Sequence, residues 1–355
     1  MRALYFGTYD RDYPRNAQVI SALRRAGVDV RERHVGVWEG RRHNWQAGPL
    51  AAARLAVAQA RLLRARADDA DVIIVGYPGH ADVAAARRIA RGRPLVFNPL
   101  VSLFDTFVSD RGRFRPGSLA ARALKALDVR ALRAATLVVA DTGAHAAYLA
   151  TLAGIPRDRV AVCFVGAEDD VFTGGWSAAE PFEALFIGKL IPLHGIATVL
   201  EAARLAPELR FRVVGSGQLE EALRARPTNV AWQPWLPYAD LPSALHRAGC
   251  ALGIFGTSEK AARVIPNKVF QALACGAPVV TADTPAAREL LEPDANALLV
   301  PAGDAEALAG AVGRLAADRP LRERVAAAGR ATYEQRASED VLGRRWRKLL
   351  EGLVG

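Results

Sequence analysis

The chain has 355 residues, which favours two domains, and 51% of them are hydrophobic, enough for two cores. Its net charge of +10 favours an anionic partner, either a phosphorylated ligand or a phospholipid surface. No DNA- or RNA-binding motif accompanies the charge, so no nucleic-acid partner is expected.

The sequence also argues against a metal site, a disulfide framework and a membrane span. Its cysteines, Cys163, Cys250 and Cys275, stand far apart in apolar surroundings, which predicts buried thiols in a reducing cytoplasm. No apolar run reaches the ~20 residues that a transmembrane helix needs, and Met1 leads directly into a strand. We therefore expect a cytoplasmic protein, with the inner face of the membrane as an alternative location.

The first half predicts a Rossmann-like domain over residues 1–172. A first strand (3–6) ends at Gly7, and the polar loop 8–16 leads to a helix and a second strand (28–33). Open α/β sheets bind ligands at the carboxyl ends of their strands, so this loop is a candidate binding segment. Its candidate contact residues are Thr8, Tyr9, Arg11 and Arg15.

A basic helix is predicted over residues 50–67, after a polar and aromatic connection (34–49). The helix could meet a membrane surface, but its apolar residues suffice for one core stripe, so a surface helix is the preferred interpretation. Its arginines include Arg54, Arg61, Arg64 and Arg66.

Two further strands (71–75 and 95–98) precede candidate functional residues. His80 follows the first, and the second opens a long loop (99–115) that carries Asp105 and Arg111. The remaining predicted elements of this half are a helix (118–133), a strand (136–140), a helix capped by Asp141-Thr142 and ending near Gly154, and a strand (160–164).

The strand–helix alternation restarts after a Gly-rich linker (173–181), and the second domain is expected over 173–335. The tail is predicted to be helical from Leu321 to Leu353 with a break at Gly329. The predicted strands are 184–188, 210–214, 230–232, 250–255, 279–281 and 298–300. The predicted helices are 195–205, 218–225, 240–247, 268–275, 285–291 and 305–316.

Two segments of the second half favour an anion site. In residues 264–280 a loop precedes a helix that begins at Lys268, and the positive end of such a helix suits a phosphate. By itself this pattern equally fits an ordinary αβ unit. In residues 186–195 a strand ends at Gly188, and His194-Gly195 opens a second helix.

These segments resemble the donor-nucleotide half of the GT-B glycosyltransferases, in particular the large retaining family called group 1 or family 4. The resemblance covers the second half well and the first half weakly. It is carried by Gly188-Lys189-Leu190, His194-Gly195, Val213 to Gly217, Pro266-Asn267-Lys268, Ala272 to Val280, Leu299 to Asp304 and Val165 to Phe172.

The resemblance implies an α/β GT-B fold, in which two Rossmann-like domains face each other across a cleft and a C-terminal helix (336–355) packs back on the first domain. The implied reaction is metal-independent, retaining transfer of a sugar from a nucleotide-sugar, UDP- or GDP-linked, to a hydroxyl of a small-molecule, saccharide or lipid-linked acceptor. Neither a cofactor nor a metal is implied.

The resemblance also implies a set of site residues. The donor-binding candidates are Gly7, Gly188, Lys189, His194, Gly215, Gly217, Arg263, Pro266, Asn267, Lys268 and Gln271. The catalytic candidates are His80, Asp105, Lys189 and His194. The acceptor-binding candidates are Thr8, Tyr9, Arg11, Arg15, Asp105 and Arg111.

The chain departs from the family pattern at functional positions. The family has an Arg and a Lys where this chain has Lys189 and His194, and two glutamates where it has Arg263 and Gln271. Gln271 can still bond ribose hydroxyls, whereas Arg263 cannot accept a hydrogen bond from a sugar. Many relatives also place a His after the strand that corresponds to 71–75, where His80 is the nearest substitute here.

Three alternatives stay open. One is a GT-B-like nucleotide-sugar epimerase, which would release free sugar without an acceptor. Another is a non-catalytic, nucleotide-sugar-binding partner subunit, which would bind without turnover. The third is a peripheral membrane protein whose basic face is its main function, which liposome co-sedimentation would detect.

Overall fold

A computed structural model describes residues 1–11, 13–38, 49–67 and 69–355, apart from the side chains of 49–52. Most of the predicted connection 34–49 therefore lies outside the described residues. The chain divides into two compact units, 1–164 with 339–355, and 165–338. The division falls after Phe164, upstream of the boundary predicted at 172.

Unit 1 alternates strands and helices, as the sequence predicts. Its strands are β1 (Arg2–Gly7), β2 (Asp29–His34), β3 (Val72–Val75), β4 (Leu95–Phe97), β5 (Leu137–Ala140) and β6 (Val160–Val162). Its helices are α1 (Pro14–Arg25), α2 (Pro49–Leu62), α3 (Asp82–Ala90), α4 (Leu119–Ala134), α5 (Gly143–Ala153) and α11 (Glu339–Val354).

The strands of unit 1 form a parallel sheet, which has the order β2-β1-β3-β4-β5-β6 in the described residues. Every residue of β3 is buried. A strand of a parallel sheet whose two faces are covered by helices is apolar throughout, and β3 consists of β-branched apolar residues. One apolar cluster includes Phe6, Ile73 and Phe97, and another includes Tyr5, Ile74 and the α11 residue Trp346.

Unit 2 repeats this architecture. The strands are β7 (Glu183–Ile187), β8 (Arg210–Val214), β9 (Val230–Gln233), β10 (Cys250–Leu252), β11 (Val279–Ala282) and β12 (Leu298–Val300). In the described residues they form a sheet of the order β12-β11-β10-β7-β8-β9. The helices are α6 (Ile196–Leu205), α7 (Leu241–His246), α8 (Asn267–Cys275), α9 (Ala305–Ala317) and α10 (Arg319–Arg336).

Two predicted helices of unit 2 are wrong. Only short 3-10 turns form within them, Glu220–Leu223 and Ala287–Glu289. Pro227 and Pro293 follow these segments, and a proline disfavours helical backbone at the residue before it.

The break predicted at Gly329 is also wrong, because α10 continues through this residue and the helix is interrupted between Arg336 and Glu339. Gly329 serves close packing instead. A Cβ there would lie 2.9 Å from Leu273 Cδ2 and 3.0 Å from the Asn296 carbonyl oxygen. Glycine here therefore lets α10 approach its neighbours.

Smaller differences concern element ends. The basic helix ends at Leu62 rather than 67, β10 ends at Leu252 rather than 255, and α3 was not predicted. The loop 99–115 contains a π-helical turn, Asp105–Asp110. No helix of the described residues is long and apolar enough to cross a membrane.

Candidate functional site

The candidate site of unit 2 lies at the carboxyl ends of β7 and β10. Strand β7 pairs with β8 on one side and β10 on the other, so the strand order reverses at β7. Open α/β sheets bind ligands at such a switch point. Gly188 follows β7 there, and Gly253 follows β10.

The segment after β7 is held against the segment after β10. The Phe255 backbone N–H donates to the His194 carbonyl oxygen over 3.2 Å. A Cβ on Gly195 would lie 2.5 Å from the Phe255 carbonyl carbon, so only glycine fits this approach. No described side chain caps the N-terminus of α6, and uncapped helix N-termini suit anions.

Lys268, in the first turn of α8, brings a buried amine to the same place. Its Nζ lies 3.6 Å from the centre of the Phe186 ring and has no hydrogen-bond partner among the described residues. Burial lowers the pKa of this amine well below its ordinary value. A Cβ on Gly188 would lie 2.9 Å from Lys268 Nζ and 3.2 Å from His194 Cε1, so the amine and the imidazole converge on Gly188.

The His194 ring is oriented by its own loop. Its Nδ1 is hydrogen-bonded to the Lys189 carbonyl oxygen, which places the ring proton on Nδ1 when the imidazole is neutral. The Nε2 atom of a neutral ring is then an acceptor, and it becomes a donor only in the imidazolium. An anion beside the ring would therefore favour protonation. The Lys189 side chain is exposed.

The predicted glycines of the β8 loop lie against the segment after β7. A Cβ on Gly215 would lie 1.9 Å from the Gly188 carbonyl oxygen, and one on Gly217 would lie 2.8 Å from the Leu190 carbonyl oxygen. Gly215 also has a φ of +150°, which side-chain-bearing residues rarely adopt. Both glycines are thus required by local packing.

The other predicted donor residues surround the start of α8. Pro266 occupies the N-cap and Asn267 the first helical position. Arg263 Nη1 donates to Glu259 Oε2 over 3.1 Å.

Gln271 has a partner that the sequence did not indicate. Its Nε2 lies 3.4 Å from the Tyr238 hydroxyl oxygen, and that hydroxyl donates to Glu168 Oε1 over 3.0 Å. Burial raises the pKa of the Glu168 carboxyl. The three residues come from distant parts of the sequence, so no local pattern could have joined them.

In unit 1, Asp82 is the central residue that sequence reasoning missed. It is fully buried and accepts hydrogen bonds from the Thr8 N–H over 2.7 Å, the Thr8 hydroxyl over 3.0 Å and Gln59 Nε2 over 2.5 Å. Gly7 has a φ of +130°, and a Cβ there would lie 2.4 Å from Asp82 Oδ2. The site candidates Gly7 and Thr8 are therefore fixed by this carboxylate.

Three other acceptor candidates have structural partners. The Tyr9 hydroxyl donates to Glu32 Oε2 over 2.7 Å, and Arg11 Nε lies 3.2 Å from the same oxygen. Arg15 is 1% exposed and donates to Asn98 Oδ1, to the Phe164 carbonyl and to the Cys163 carbonyl. For Tyr9 and Arg15 this geometry favours a structural role over acceptor contact.

The catalytic candidates His80 and Asp105 join one buried network. His80 Nε2 lies 3.2 Å from Asp128 Oδ1, and its burial lowers the pKa of the imidazole. The Ser102 hydroxyl donates to Asp128 Oδ2 over 2.6 Å and accepts the Asp105 backbone N–H over 3.0 Å. The side chain of His80 is only 2% exposed, which favours a structural role.

The acceptor candidate Arg111 lies at the end of the turn Asp105–Asp110. Its guanidinium carbon lies 5.9 Å from the centre of the Phe107 ring. Burial lowers the pKa of this guanidinium. The described residues contain no group of three or more His, Cys, Asp or Glu side chains that could hold a metal ion.

The fold and the switch-point site thus define a protein with two doubly wound α/β units. Each half of the chain matches a domain family: residues 7–166 match the "Glycosyl transferase 4-like domain" and residues 197–351 match "Glycosyl transferase-like". The chain belongs to the glycosyltransferases of GT-B fold.

Individual proteins agree with this assignment. The amylovoran biosynthesis glycosyltransferase AmsK of Erwinia amylovora is 25% identical over 214 residues, which cover 57% of this chain and 53% of that protein. The chain thus spans about half the length of the curated relatives it matches.

Solved structures match over nearly the whole chain. Anabaena Alr3699/HepE in complex with UDP has a TM-score of 0.72 and 17% identity, with 99% of each chain covered. Sucrose-phosphate synthase from Thermosynechococcus elongatus has a TM-score of 0.75 and 16% identity, with 99% of this chain and 98% of that chain covered. At these identities the likeness shows the fold.

Proposed function

We propose that the protein transfers a sugar, with retention of configuration and without a metal ion, from a UDP- or GDP-sugar to a hydroxyl acceptor. The observation that carries the proposal is the buried, unpartnered Lys268 amine, which converges with the His194 ring on Gly188. A buried cation is costly unless an anion pairs with it, and a diphosphate would be such an anion.

In the proposed reaction, negative charge develops on the leaving diphosphate, beside Lys268 and His194. The acceptor oxygen bonds to the anomeric carbon as the bond from that carbon to the diphosphate breaks, and the departing phosphate takes the acceptor proton. Lys268, the His194 imidazolium and the N-terminus of α6 would stabilise the negative charge that develops on the leaving group. UDP in the Anabaena neighbour supports a nucleotide donor.

A non-catalytic, nucleotide-sugar-binding function is the second candidate. Gln271 bonds to Tyr238 and Arg263 pairs with Glu259, although the family places glutamates at positions 271 and 263. If those glutamates are required for turnover, this chain would bind a nucleotide-sugar without reacting it.

The test is a thermal-shift panel of UDP, GDP, ADP, TDP and their sugar conjugates, followed by turnover assays with saccharide and lipid-linked acceptors. A ligand that binds only the folded state raises the Tm. We expect one nucleotide to act selectively and its sugar conjugate to act more strongly. Binding without turnover would favour the second candidate, and free sugar released without an acceptor would favour an epimerase.

NMR of the product formed at early times would then test retention. A product with the opposite anomeric configuration would overturn the proposed retention. Loss of turnover after treatment with a chelator would overturn the proposed independence from a metal ion.

A further inference from the structure

A second cationic feature lies in unit 1, at the edge of the sheet opposite the carboxyl ends of the strands. A cavity of about 740 Å³ opens between residues 63–67 with Asp69 on one side and the segment 88–93 on the other, and we call it the arginine pocket. These segments lead into β3 and β4, which are parallel neighbours, so the pocket lies at their amino ends. The arginines that line it are Arg64, Arg66, Arg88, Arg91 and Arg93.

The positive charge of the pocket is not neutralised by the described residues around it. Arg64, Arg66, Arg88 and Arg91 are exposed, and none of them forms an ion pair with a described residue. Asp69, which also lines the pocket, is engaged elsewhere, because its Oδ2 lies 2.9 Å from Arg2 Nη1.

Stabilisation of helix ends does not account for this arrangement. Helices α2 and α3 end at this edge, and each helix C-terminus carries about half a negative charge, which an arginine in the last turn, such as Arg88, would offset. Four guanidinium groups without an ion-pair partner in the described part of the chain carry well over this amount of charge. Like charges around one concavity repel each other, and an anion between them would remove the repulsion.

We propose that the arginine pocket binds a ligand that carries two or more phosphate groups. Guanidinium groups pair with phosphate oxygens through two parallel hydrogen bonds, which a lysine cluster could not supply. The volume lies within the range of about 300–1,000 Å³ for ligand pockets and exceeds what one phosphate fills. Such phosphates come either from a soluble oligophosphate or from the headgroups of anionic membrane lipids. This site is separate from the proposed donor site and does not depend on it.

The first experiment titrates inorganic tripolyphosphate into the full chain by isothermal calorimetry at low salt. The pocket variant is R64Q/R88Q. The matched control is R54Q/R61Q, which removes two exposed arginines of α2 that do not line the pocket. We expect the pocket variant to bind tripolyphosphate at one site with an affinity at least about tenfold weaker than that of the wild type. The control should bind as the wild type does. Any binding at Lys268 would persist in both variants.

The second experiment measures co-sedimentation with phosphatidylcholine vesicles that contain phosphatidylglycerol, with the same three proteins. Vesicle binding that R64Q/R88Q loses and R54Q/R61Q keeps, without tripolyphosphate binding, would assign the phosphates to lipid. The reverse pattern would assign them to a soluble ligand.

The proposal is overturned if the wild type binds neither probe at the pocket, or if R54Q/R61Q weakens binding as much as R64Q/R88Q does. Equal Tm values of the three proteins without ligand would show that the variants are folded.

Discussion

The two units have the same architecture, but three buried charges of unit 1 and one of unit 2 differ in how they are partnered. In unit 1, the Asp82 and Asp128 carboxylates and the Arg15 guanidinium are all hydrogen-bonded within the unit. In unit 2, the Lys268 amine is buried over the Phe186 ring without a hydrogen-bond partner in the described residues.

This difference indicates which buried charges serve the fold of their own unit and which one favours a ligand. Removing a partner from a buried, hydrogen-bonded charge is costly, whereas a buried charge that has no partner already costs stability and favours a ligand of opposite charge. The five predictions below would break or sharpen this distinction.

The largest expected effect is on stability in unit 1. Asp128→Ala removes the acceptor of the Ser102 hydroxyl, the Leu103 and Phe104 N–H groups and His80. We expect the free energy of unfolding to fall by about 3–5 kcal/mol, measured by urea denaturation. Asp128→Asn keeps one acceptor oxygen and should lose less. A loss below about 1 kcal/mol for the alanine variant would show that the network is not structural.

The second prediction concerns the unpartnered amine. Lys268→Met should weaken nucleoside diphosphate binding by about 10- to 100-fold, because a charge-assisted contact is lost. It should also raise the free energy of unfolding by about 1–3 kcal/mol, since an apolar chain replaces a buried amine over Phe186. The exposed Lys348→Met is the matched control and should change neither quantity. Unchanged affinity in Lys268→Met would contradict the proposed donor site.

The third prediction follows from the lowered pKa of Lys268. Above that lowered pKa the amine is neutral, so binding of UDP in that pH range should recharge it and take up a proton. Calorimetry in two buffers of different ionisation enthalpy measures the uptake. The uptake should be smaller in Lys268→Met, and equal uptake by both proteins would exclude Lys268 as the proton acceptor.

The lowered pKa of Lys268 also makes the free energy of unfolding depend on pH. Between the lowered folded pKa and the ordinary value of 10.5, the unfolded chain binds more protons than the folded chain. The free energy of unfolding should therefore rise with pH across that range, and Lys268→Met should lose this contribution.

The smallest expected effect concerns His80. Its pKa is lowered by burial, so below the ordinary value of 6.5 the unfolded chain binds more protons. Stability should fall as the pH falls from 6.5 to the folded pKa, by at most about 1.4 kcal/mol per pH unit from this group. Urea denaturation of His80→Gln at pH 7 and pH 5 should show a shallower decline than the wild type. The half-buried His246→Gln is the control.

Much of the fold could be predicted because it depends on local sequence patterns. Runs such as Val72–Val75, which are β-branched and apolar, form strands wherever helices cover both faces. The helix capped by Thr142 and ended by Gly154 is confirmed, since the Thr142 hydroxyl accepts the His145 N–H and Gly154 is left-handed. The failed helices over 218–225 and 285–291 were marginal segments next to prolines, where length and packing decide.

The site could be predicted in its residue types more than in its contacts. Gly188, Gly215, His194 and Lys268 lie together in unit 2 as the pattern of loops and helix starts indicates. The partners of Thr8 and Gln271 could not be predicted, because Asp82 is 74 residues from Thr8 and Tyr238 is 33 from Gln271.

The sequence by itself determined the alternation of strands and helices, the division into two similar domains and the glycines of the loops after β7 and β8, because each depends on neighbours a few residues away. Only the tertiary structure decided which charges are satisfied. The burial of Lys268 Nζ depends on Phe186 in a separate strand, and the hydrogen bonds to the Asp82 carboxyl come from Gln59 and Thr8. Desolvation and pairing are set by atoms that are close in space and distant in the chain, so they emerge only when the sheet has formed.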